Sequence, residues 1–304
     1  MNQLKSFANH SPFTMSYTNK NHLYLYPFLF LINVSCSTSK MSVMALEYTP
    51  GISKSVFKNR SDRLESKALK NPSDSDLLIT TSKNLTIYSF GFTMDEADRV
   101  KQKDYAKSKN IFLLANSDFS RAVEYSNQSI SLMHPNYEQW INRESTEPPY
   151  FELSDIDNLY WAAAAYAGAI QSSNGSPQWV VQLPKIGLLL EAALKLDPDW
   201  NFGSLYTAMI SYSLIRHDAR EDKIDIANSF FNKAIKASNG EDLSPYISYA
   251  ENIAIAQQDK KEFTNMLYKA LNIDIHKNPD LSLTNYINRK RANWLLDNID
   301  EFFY

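Results

Sequence analysis

The sequence predicts an all-α fold, arranged as an irregular, solenoid-like array of helical hairpins, and three observations support this prediction. The 304-residue chain contains 7 glycines, and glycine is the residue that tight β-hairpins, bulges and phosphate-binding loops need. Apolar residues recur at helical spacing over most of the chain after residue 51. The stretch from Leu153 to Pro198 consists of two such segments joined by the polar loop QSSNGSPQW, which is the pattern of a helical hairpin.

The first segment of this hairpin, LSDIDNLYWAAAAYAGAI, predicts a helix against which another helix packs closely. Ser154 and Asp157 have the spacing of a helix-capping pair. The alanines that follow favour helix and have little volume, so a neighbouring backbone can come near. These alanines are Ala162, Ala163, Ala165 and Ala169, with Trp161 and Tyr166 beside them.

The second segments of three successive hairpins share one spacing. A small or apolar residue, a large residue and an alanine stand at positions 0, 4 and 7, as in the second helix of tetratricopeptide-like repeats. The three sets are Ile186, Leu190 and Ala193, then Ala227, Phe231 and Ala234, then Phe263, Leu267 and Ala270. The alanines lie 41 and 36 residues apart, whereas the regular repeat has about 34 residues. The predicted array is therefore irregular.

The elements before this array are also predicted to be helical. Helical spacing begins after Gly51 and ends at Asn71-Pro72, with Val56 and Leu69 among its apolar positions. Residues 78–92 have helical spacing but many β-branched side chains, so helix is only weakly favoured over strand. Thr93 and Glu96 indicate either a new helix or a kink at Gly91. A long helical region is then predicted from Met94 to Met133, ended by His134-Pro135, with a short helix near Trp140.

After Pro198 the predicted elements follow the hairpin plan. Two further pairs and a final helix are expected, with a left-handed cap at Asn239-Gly240 and Ser244 as the N-cap of the third pair. The predicted ranges are Phe202 to Arg216 with Asp222 to Ser238, Ser244 onward with Lys260 to Asn272, and Leu283 to Phe302. Residues 51–304 are expected to form a single helical domain, preceded by a linker at 37–50.

Residues 1–36 are predicted to be a signal peptide. The apolar run LYLYPFLFLI at 23–32 is too short to span a bilayer and has the length of a signal-peptide core. Cys36, the single cysteine, follows it and cannot form an internal disulfide. The pattern resembles a bacterial lipoprotein signal, with Ser35 at the cleavage position, although Asn33 replaces the usual leucine. The alternative is an ordinary secretory signal, or a mispredicted start with a buried free thiol. The first 14 residues are polar and unlike the start of a signal peptide, so Met15 is a second candidate for the start of the chain.

No catalytic or metal-binding motif is apparent. The histidines His10, His22, His134, His217 and His276 are scattered, and the nucleophile and nucleotide-binding motifs rich in glycine are absent. The formal net charge is −3 and basic runs have acidic neighbours, which argues against nucleic acid as a partner. The one basic cluster, Arg289-Lys290-Arg291, is interpreted as a solvated face. We therefore expect no enzyme activity, no cofactor and no metal.

Aromatic residues are the candidate ligand-binding groups, because an aromatic set with few charges can line a channel for an apolar or amphipathic ligand. The candidates cluster around the central hairpin, where core packing is the alternative role for each. They are Tyr160, Trp161, Tyr166, Trp179, Trp200, Tyr206 and Tyr212.

Several segments together resemble the T component of TRAP transporters, the TatT family. They are LYWAAAAYAGAI, QLPKIGLLLEAALKLDPDWNFGSLY, IANSFFNKAIKASNGEDLSPYISYAENIAIAQQDKKEF and LTNYINRKRANWLL. The resemblance implies a periplasmic lipoprotein with a tetratricopeptide-like body, helical also at 77–92, that associates with the solute-binding P component. It also implies a trimer with a hydrophobic pore. Ser37 after Cys36 favours the outer membrane over the inner one. The alternative is a generic helical-repeat scaffold for protein interactions in the cell envelope.

Overall fold

The computed structural model describes residues 50–216, 218–219 and 222–303, and every regular element in these ranges is helical. The all-α prediction is therefore confirmed. The predicted signal peptide with Cys36, and residues 37–49 of the predicted linker, lie outside the described residues. Residue 50, the last of that linker, already begins the first helix.

The N-terminal helices form a layered antiparallel set. They are α1 (Pro50–Ala68), α2 (Ser75–Tyr88), α3 (Asp95–Val100), α4 (Tyr105–Met133) and α5 (Tyr137–Ile141). Helix α1 packs on α2, and α2 packs on α4. A π-helical turn, Ser89–Met94, joins α2 to α3, so residues 78–92 are helical as the periodicity indicated. Propensity for strand is overridden here because Leu78 and Leu85 are buried.

Three details of the N-terminal prediction are wrong. The long helix is interrupted at residues 101–104, because the Asp104 side chain accepts a hydrogen bond from the Lys107 amide at 2.9 Å and caps a new helix. Of the two alternatives at Thr93, a helix capped by this residue is wrong, because Thr93 lies inside the π-helical turn, which also contains Gly91. The apolar Val56 in α1 and Leu69 just after it are exposed, whereas small residues such as Ala68 are buried.

The C-terminal helices form the expected hairpins. They are α6 (Ile156–Ser172), α7 (Pro177–Val180), α8 (Leu183–Leu196), α9 (Trp200–Ile215), α10 (Lys223–Ala237), α11 (Ser244–Tyr249), α12 (Lys260–Leu271) and α13 (Ser282–Asp297). Helix α6 packs on α8, α9 on α10 and α11 on α12. A π-helical turn at Ala250–Ala254 continues α11, and a 3₁₀ turn at Ile299–Glu301 follows α13.

The residues at positions 0, 4 and 7 of α8, α10 and α12 lie on the buried faces of these helices. Eight of these nine residues are fully buried. The exception, Phe231, is partly buried and its ring lies 5.6 Å from that of Tyr246 and 4.9 Å from that of Tyr249. The positive φ angles of Asn239 and Gly240 confirm the left-handed cap after α10. The spacing therefore marks core positions, while the solenoid-like arrangement of the pairs stays a prediction.

Helix α6 is the most enclosed element of the fold. Every residue from Leu159 to Ile170 is buried, and the helix contacts α2, α4 and α8. A Cβ atom at Gly168 would lie 2.2 Å from the ring of Phe119 on α4. The alanine-rich face thus allows the close approach that the sequence predicted.

The cap of α6 differs from the prediction. A 3₁₀ turn, Leu153–Asp155, precedes the helix, and the Glu152 amide donates to Asp155 Oδ2 at 2.8 Å. This capping box lies two residues before the predicted pair. Asp157 is consequently free to bond with Lys83 and Trp161.

The basic cluster on α13 is not a solvated face. Arg291 has a largely buried side chain and donates to Glu251 Oε1 at 2.6 and 2.9 Å and to Asp98 Oδ2 at 3.0 Å. Its neighbour Arg289 donates to the Ile273 carbonyl at 2.7 Å. Only Lys290 is exposed. Because buried charges require partners, this ionic network joins α3 to the C-terminal helices, and breaking it would cost about 3–5 kcal/mol.

Candidate functional site

The seven candidate aromatic residues differ in exposure. Tyr160, Trp161, Tyr166 and Tyr212 are buried in the protein interior. Trp179, Trp200 and Tyr206 are partly exposed. The second group is the one with ring surface available to a solute.

Tyr160, Trp161 and Trp200 form one contiguous aromatic cluster. The Tyr160 ring centre lies 5.3 Å from that of Trp161, edge to face, and 5.1 Å from that of Trp200. The Tyr160 ring therefore lies between the buried indole of Trp161 and the partly exposed indole of Trp200. This cluster brings together three of the seven predicted residues.

Polar contacts fix the Trp161 indole. Its Nε1 donates to Asp157 Oδ1 at 3.1 Å, and the Lys83 Nζ lies 5.0 Å from the ring centre. Lys83 also donates to both carboxylate oxygens of Asp157, at 3.1 and 3.2 Å. Lys83 belongs to α2, so no local sequence signal pointed to it.

A left-handed turn positions Trp200. Asn201, Phe202 and Gly203 have φ angles of 52°, 58° and 79°, so the right-handed part of α9 begins after Gly203 and not at Phe202 as predicted. Such a conformation costs free energy for a residue with a side chain. At Gly203 a Cβ atom would also lie 2.8 Å from the Cβ of Ala237, which explains the glycine. The turn holds the indole of Trp200 against Tyr160.

Tyr166 lies in a separate hydrogen-bonded group. The Asn127 side-chain amide donates to the Tyr166 hydroxyl at 2.8 Å, and the Tyr137 hydroxyl donates to Asn127 Oδ1 at 2.8 Å. Burial raises the pKa of both tyrosines, so their hydroxyls are neutral at physiological pH. Asn127 links α4 to α5 and α6, and its role was not visible in the sequence.

Tyr212 and Tyr206 lie on α9 at two further positions. Tyr212 packs over Gly187 of α8, where a Cβ atom would be 2.1 Å from its hydroxyl. Burial raises the pKa of Tyr212 to about 12. The Tyr206 ring lies 6.3 Å from that of Phe230, with the Lys233 ammonium 5.7 Å from its centre.

A concave surface along α10 lies beside Tyr206. It is lined by Asp225, Asn228, Ser229, Asn232, Lys233 and Lys236, and by none of the seven aromatic residues. Lys233 connects it with the Tyr206 ring. Its lining is polar, so an apolar pore stays a prediction.

The polar pairs that resemble catalytic groups have structural roles. His134 Nε2 lies 3.1 Å from Asp155 Oδ1, and its ring meets that of Phe151 edge to face. The other oxygen of Asp155 is used in the cap of α6. His217 lies outside the described residues, while Asp218 pairs with Arg216. Among the described residues, no group of three or more His, Cys, Asp or Glu side chains is arranged to hold a metal ion.

Asp242 is a buried acid without a cation partner among the described residues. Its Oδ1 accepts hydrogen bonds from the amide and the hydroxyl of Ser244, whereas its Oδ2 is buried with no hydrogen-bond partner. Ser244 is therefore the first residue of α11 and not its N-cap as predicted, and the Asp242 side chain binds the amide at the start of this helix. Burial raises the pKa of this carboxyl group to about 6.

Within the described ranges, no helix has both the length and the apolar character needed to cross a membrane.

Comparison with known proteins identifies a family and a relative. The model of a family described as "TRAP transporter T-component" (TAtT) matches residues 63–303, from within α1 to the end of the described chain. An uncharacterized protein of Treponema pallidum (strain Nichols) is 20% identical over 240 residues, which cover 77% of this chain and 74% of that protein. The family match therefore covers nearly all of the helical array.

Replacement of Asp242 by asparagine is expected to change the pH dependence of stability. The folded state holds the Asp242 proton more tightly than the unfolded chain, so wild-type stability falls as the pH rises from about 3.8 to about 6. Above that range the ionised carboxylate lowers the free energy of unfolding by about 3 kcal/mol. Asp242→Asn retains the acceptor oxygen for Ser244, and its free energy of unfolding should not fall over this pH range. Urea unfolding at a series of pH values measures the free energy of unfolding of both proteins.

The exposed Asp280→Asn provides the matched control, and its profile should follow that of the wild type. Parallel profiles for Asp242→Asn and wild type between pH 4 and pH 7 would contradict the assignment.

Proposed function

Because the chain belongs to the TRAP transporter T-component family, we propose that it is a non-enzymatic accessory protein that binds the solute-binding P component of such a transporter. The observation that carries the proposal is the family match, which extends over nearly all of the described helical array. The structure is compatible with a binding role, since arrays of helical hairpins present extended surfaces to partners.

The partner proposal is tested by co-purification. The full chain should retain the P component encoded in the same genome at micromolar concentration, because transient envelope complexes have interfaces of moderate size. A solute-binding protein of an unrelated transporter class serves as the control. Failure to retain any of the TRAP P components of the source organism would refute the partner.

A generic scaffold for envelope proteins is the second candidate, and the helical-hairpin array alone supports it equally well. The two candidates differ in genomic context. A T component requires genes for a TRAP permease and a P component in the same organism, whereas a generic scaffold does not.

We further propose that the partly exposed aromatics contact a small apolar or amphipathic solute. Trp179, Trp200 and Tyr206 would provide the contact surface, and Tyr160 would support Trp200 from behind at 5.1 Å. The buried Trp161, Tyr166 and Tyr212 would contribute to the packing of the helices behind this surface and would not touch the solute. A homotrimer with a pore through the body is the assembly expected for this role, and analytical ultracentrifugation measures its mass.

Replacement of Trp200 by phenylalanine tests the solute proposal. With 1-anilinonaphthalene-8-sulfonate as the probe, Trp200→Phe should weaken binding about fivefold, because one large aromatic contact contributes about 1 kcal/mol. Trp140→Phe is the control, since Trp140 is buried in α5 against Tyr137 and Phe151. Equal affinities for wild type and Trp200→Phe, measured by fluorescence titration, would exclude Trp200 from the site.

For the location of the protein, we propose the periplasm, with a lipid anchor on Cys36 at the outer membrane. The support is the signal-like run at 23–32 before Cys36 and the family match. Mass spectrometry of the mature protein from the membrane fraction should find an acylated Cys36 at the N-terminus. A mature protein that begins at another residue would rule out this anchor.

A further inference from the structure

The turn between α3 and α4, together with the start of α4, carries four lysines and an exposed tyrosine within nine residues, KQKDYAKSK. Lys101, Lys103, Lys107 and Lys109 are all exposed, and Tyr105 is 67% exposed. We call these five residues the basic tip. A tyrosine side chain has an apolar ring and a polar hydroxyl. An exposed tyrosine among lysines is therefore suited to contact an interface between water and an apolar phase.

The positive charge of the basic tip is not balanced by its neighbours. None of the four lysines forms an ion pair within 4.0 Å with an acid of the described residues, although acids precede them in the sequence DEAD. Those acids are engaged elsewhere: Asp95 pairs with Arg99, Glu96 with Lys54 and Asp98 with Arg291. The remaining acid, Asp104, is used as the N-cap of α4. The structure therefore isolates a charge that the sequence appeared to neutralise.

The basic tip lies at the end of the molecule where the N-terminal 49 residues join. Lys54, in the first turns of α1, contacts Glu96 at 2.5 Å. Glu96 precedes Lys101 by five residues, which is about 8 Å along a helix. Residues 37–49, between Cys36 and α1, span at most about 45 Å when fully extended. A bilayer that holds Cys36 or the apolar run at 23–32 would therefore be within reach of the tip.

We propose that the basic tip docks on an anionic phospholipid surface. Lysines close to a bilayer are attracted by anionic headgroups, and tyrosine rings locate at the level of the headgroups. The basic tip adds this attraction to that of the anchor proposed at Cys36, and it determines which end of the helical array faces the membrane. This inference does not depend on a P component or a solute.

Vesicle binding by the full chain tests the docking surface. Partitioning is compared between phosphatidylcholine vesicles and vesicles with about 30 mol% phosphatidylglycerol, at a salt concentration of about 0.1 M. The apolar run at 23–32 can bind to both kinds of vesicle, and its contribution cancels in the ratio of the two partition coefficients. Wild type should show a ratio well above one that falls at high salt.

The test variant replaces the four lysines by glutamine (K101Q, K103Q, K107Q and K109Q). Each lysine near an anionic surface contributes about fivefold, equivalent to about 1 kcal/mol. For four lysines the ratio should therefore fall about 600-fold. The control variant removes four other exposed cations without ion pairs among the described residues, on and just after α1 (R60Q, R63Q, K67Q and K70Q). Its ratio should remain within about threefold of wild type, since these residues lie farther from the tip.

Chemical footprinting gives a second readout that requires no variant. Acetylation of the four tip lysines should slow on anionic vesicles relative to acetylation of Lys67 and Lys70.

Equal losses of binding by the two quadruple variants would overturn the proposal, because total charge and not the tip would then govern binding. A wild-type ratio near one would also overturn it, as expected if the tip instead meets an acidic protein surface.

Discussion

The contact between α4 and α6 at Gly168 is the constraint on which the rest of the structure depends. The Phe119 ring occupies the position that a Cβ atom at residue 168 would need, at 2.2 Å. Because α6 is buried along its length from Leu159 to Ile170, α2, α4 and α8 must all meet it closely. Small side chains make that possible, and dispersion contacts at this density stabilise the core. The other hairpins extend from this centre through α8 and α9.

This centre also determines where the candidate site lies. Tyr160 and Trp161 belong to α6, and Trp200 reaches them through the left-handed turn that follows α8. The partly exposed Trp200 is therefore held against the most enclosed helix of the fold. The basic tip lies elsewhere, beside the start of α1. The proposed docking of the basic tip on a membrane would leave the aromatic residues near α6 and α9 at a separate place, as the proposed role between a membrane and a soluble partner requires.

Sequence reasoning predicted the helices better than their contacts. The scarcity of glycine and the 0, 4, 7 spacing identified the all-α fold and eight buried positions, because both depend on local geometry. Arg291 was misinterpreted, since its partners Glu251 and Asp98 are distant in the chain. The break at residues 101–104 was missed because the Asp104 cap competes with a continuous helical pattern.

The candidate site could be predicted only as a set of residue types. Seven aromatics near the central hairpin were identified, but their exposure depends on side chains from other helices, such as Lys83 and Asn127. Long-range contacts of this kind leave no periodic signal in a single sequence. The family match supplied what spacing did not, namely the association with a transporter.

The free energy of unfolding of Gly168→Ala tests the central packing claim most directly. Inside a helix with free space, replacing glycine by alanine stabilises by about 1 kcal/mol. The close contact with Phe119 predicts the opposite sign, a loss of about 1–3 kcal/mol in the free energy of unfolding. The double variant Gly168→Ala/Phe119→Leu should lose less than the sum of the losses of the two single variants, because the smaller side chain relieves the clash. A Gly168→Ala protein that is more stable than wild type would contradict the account.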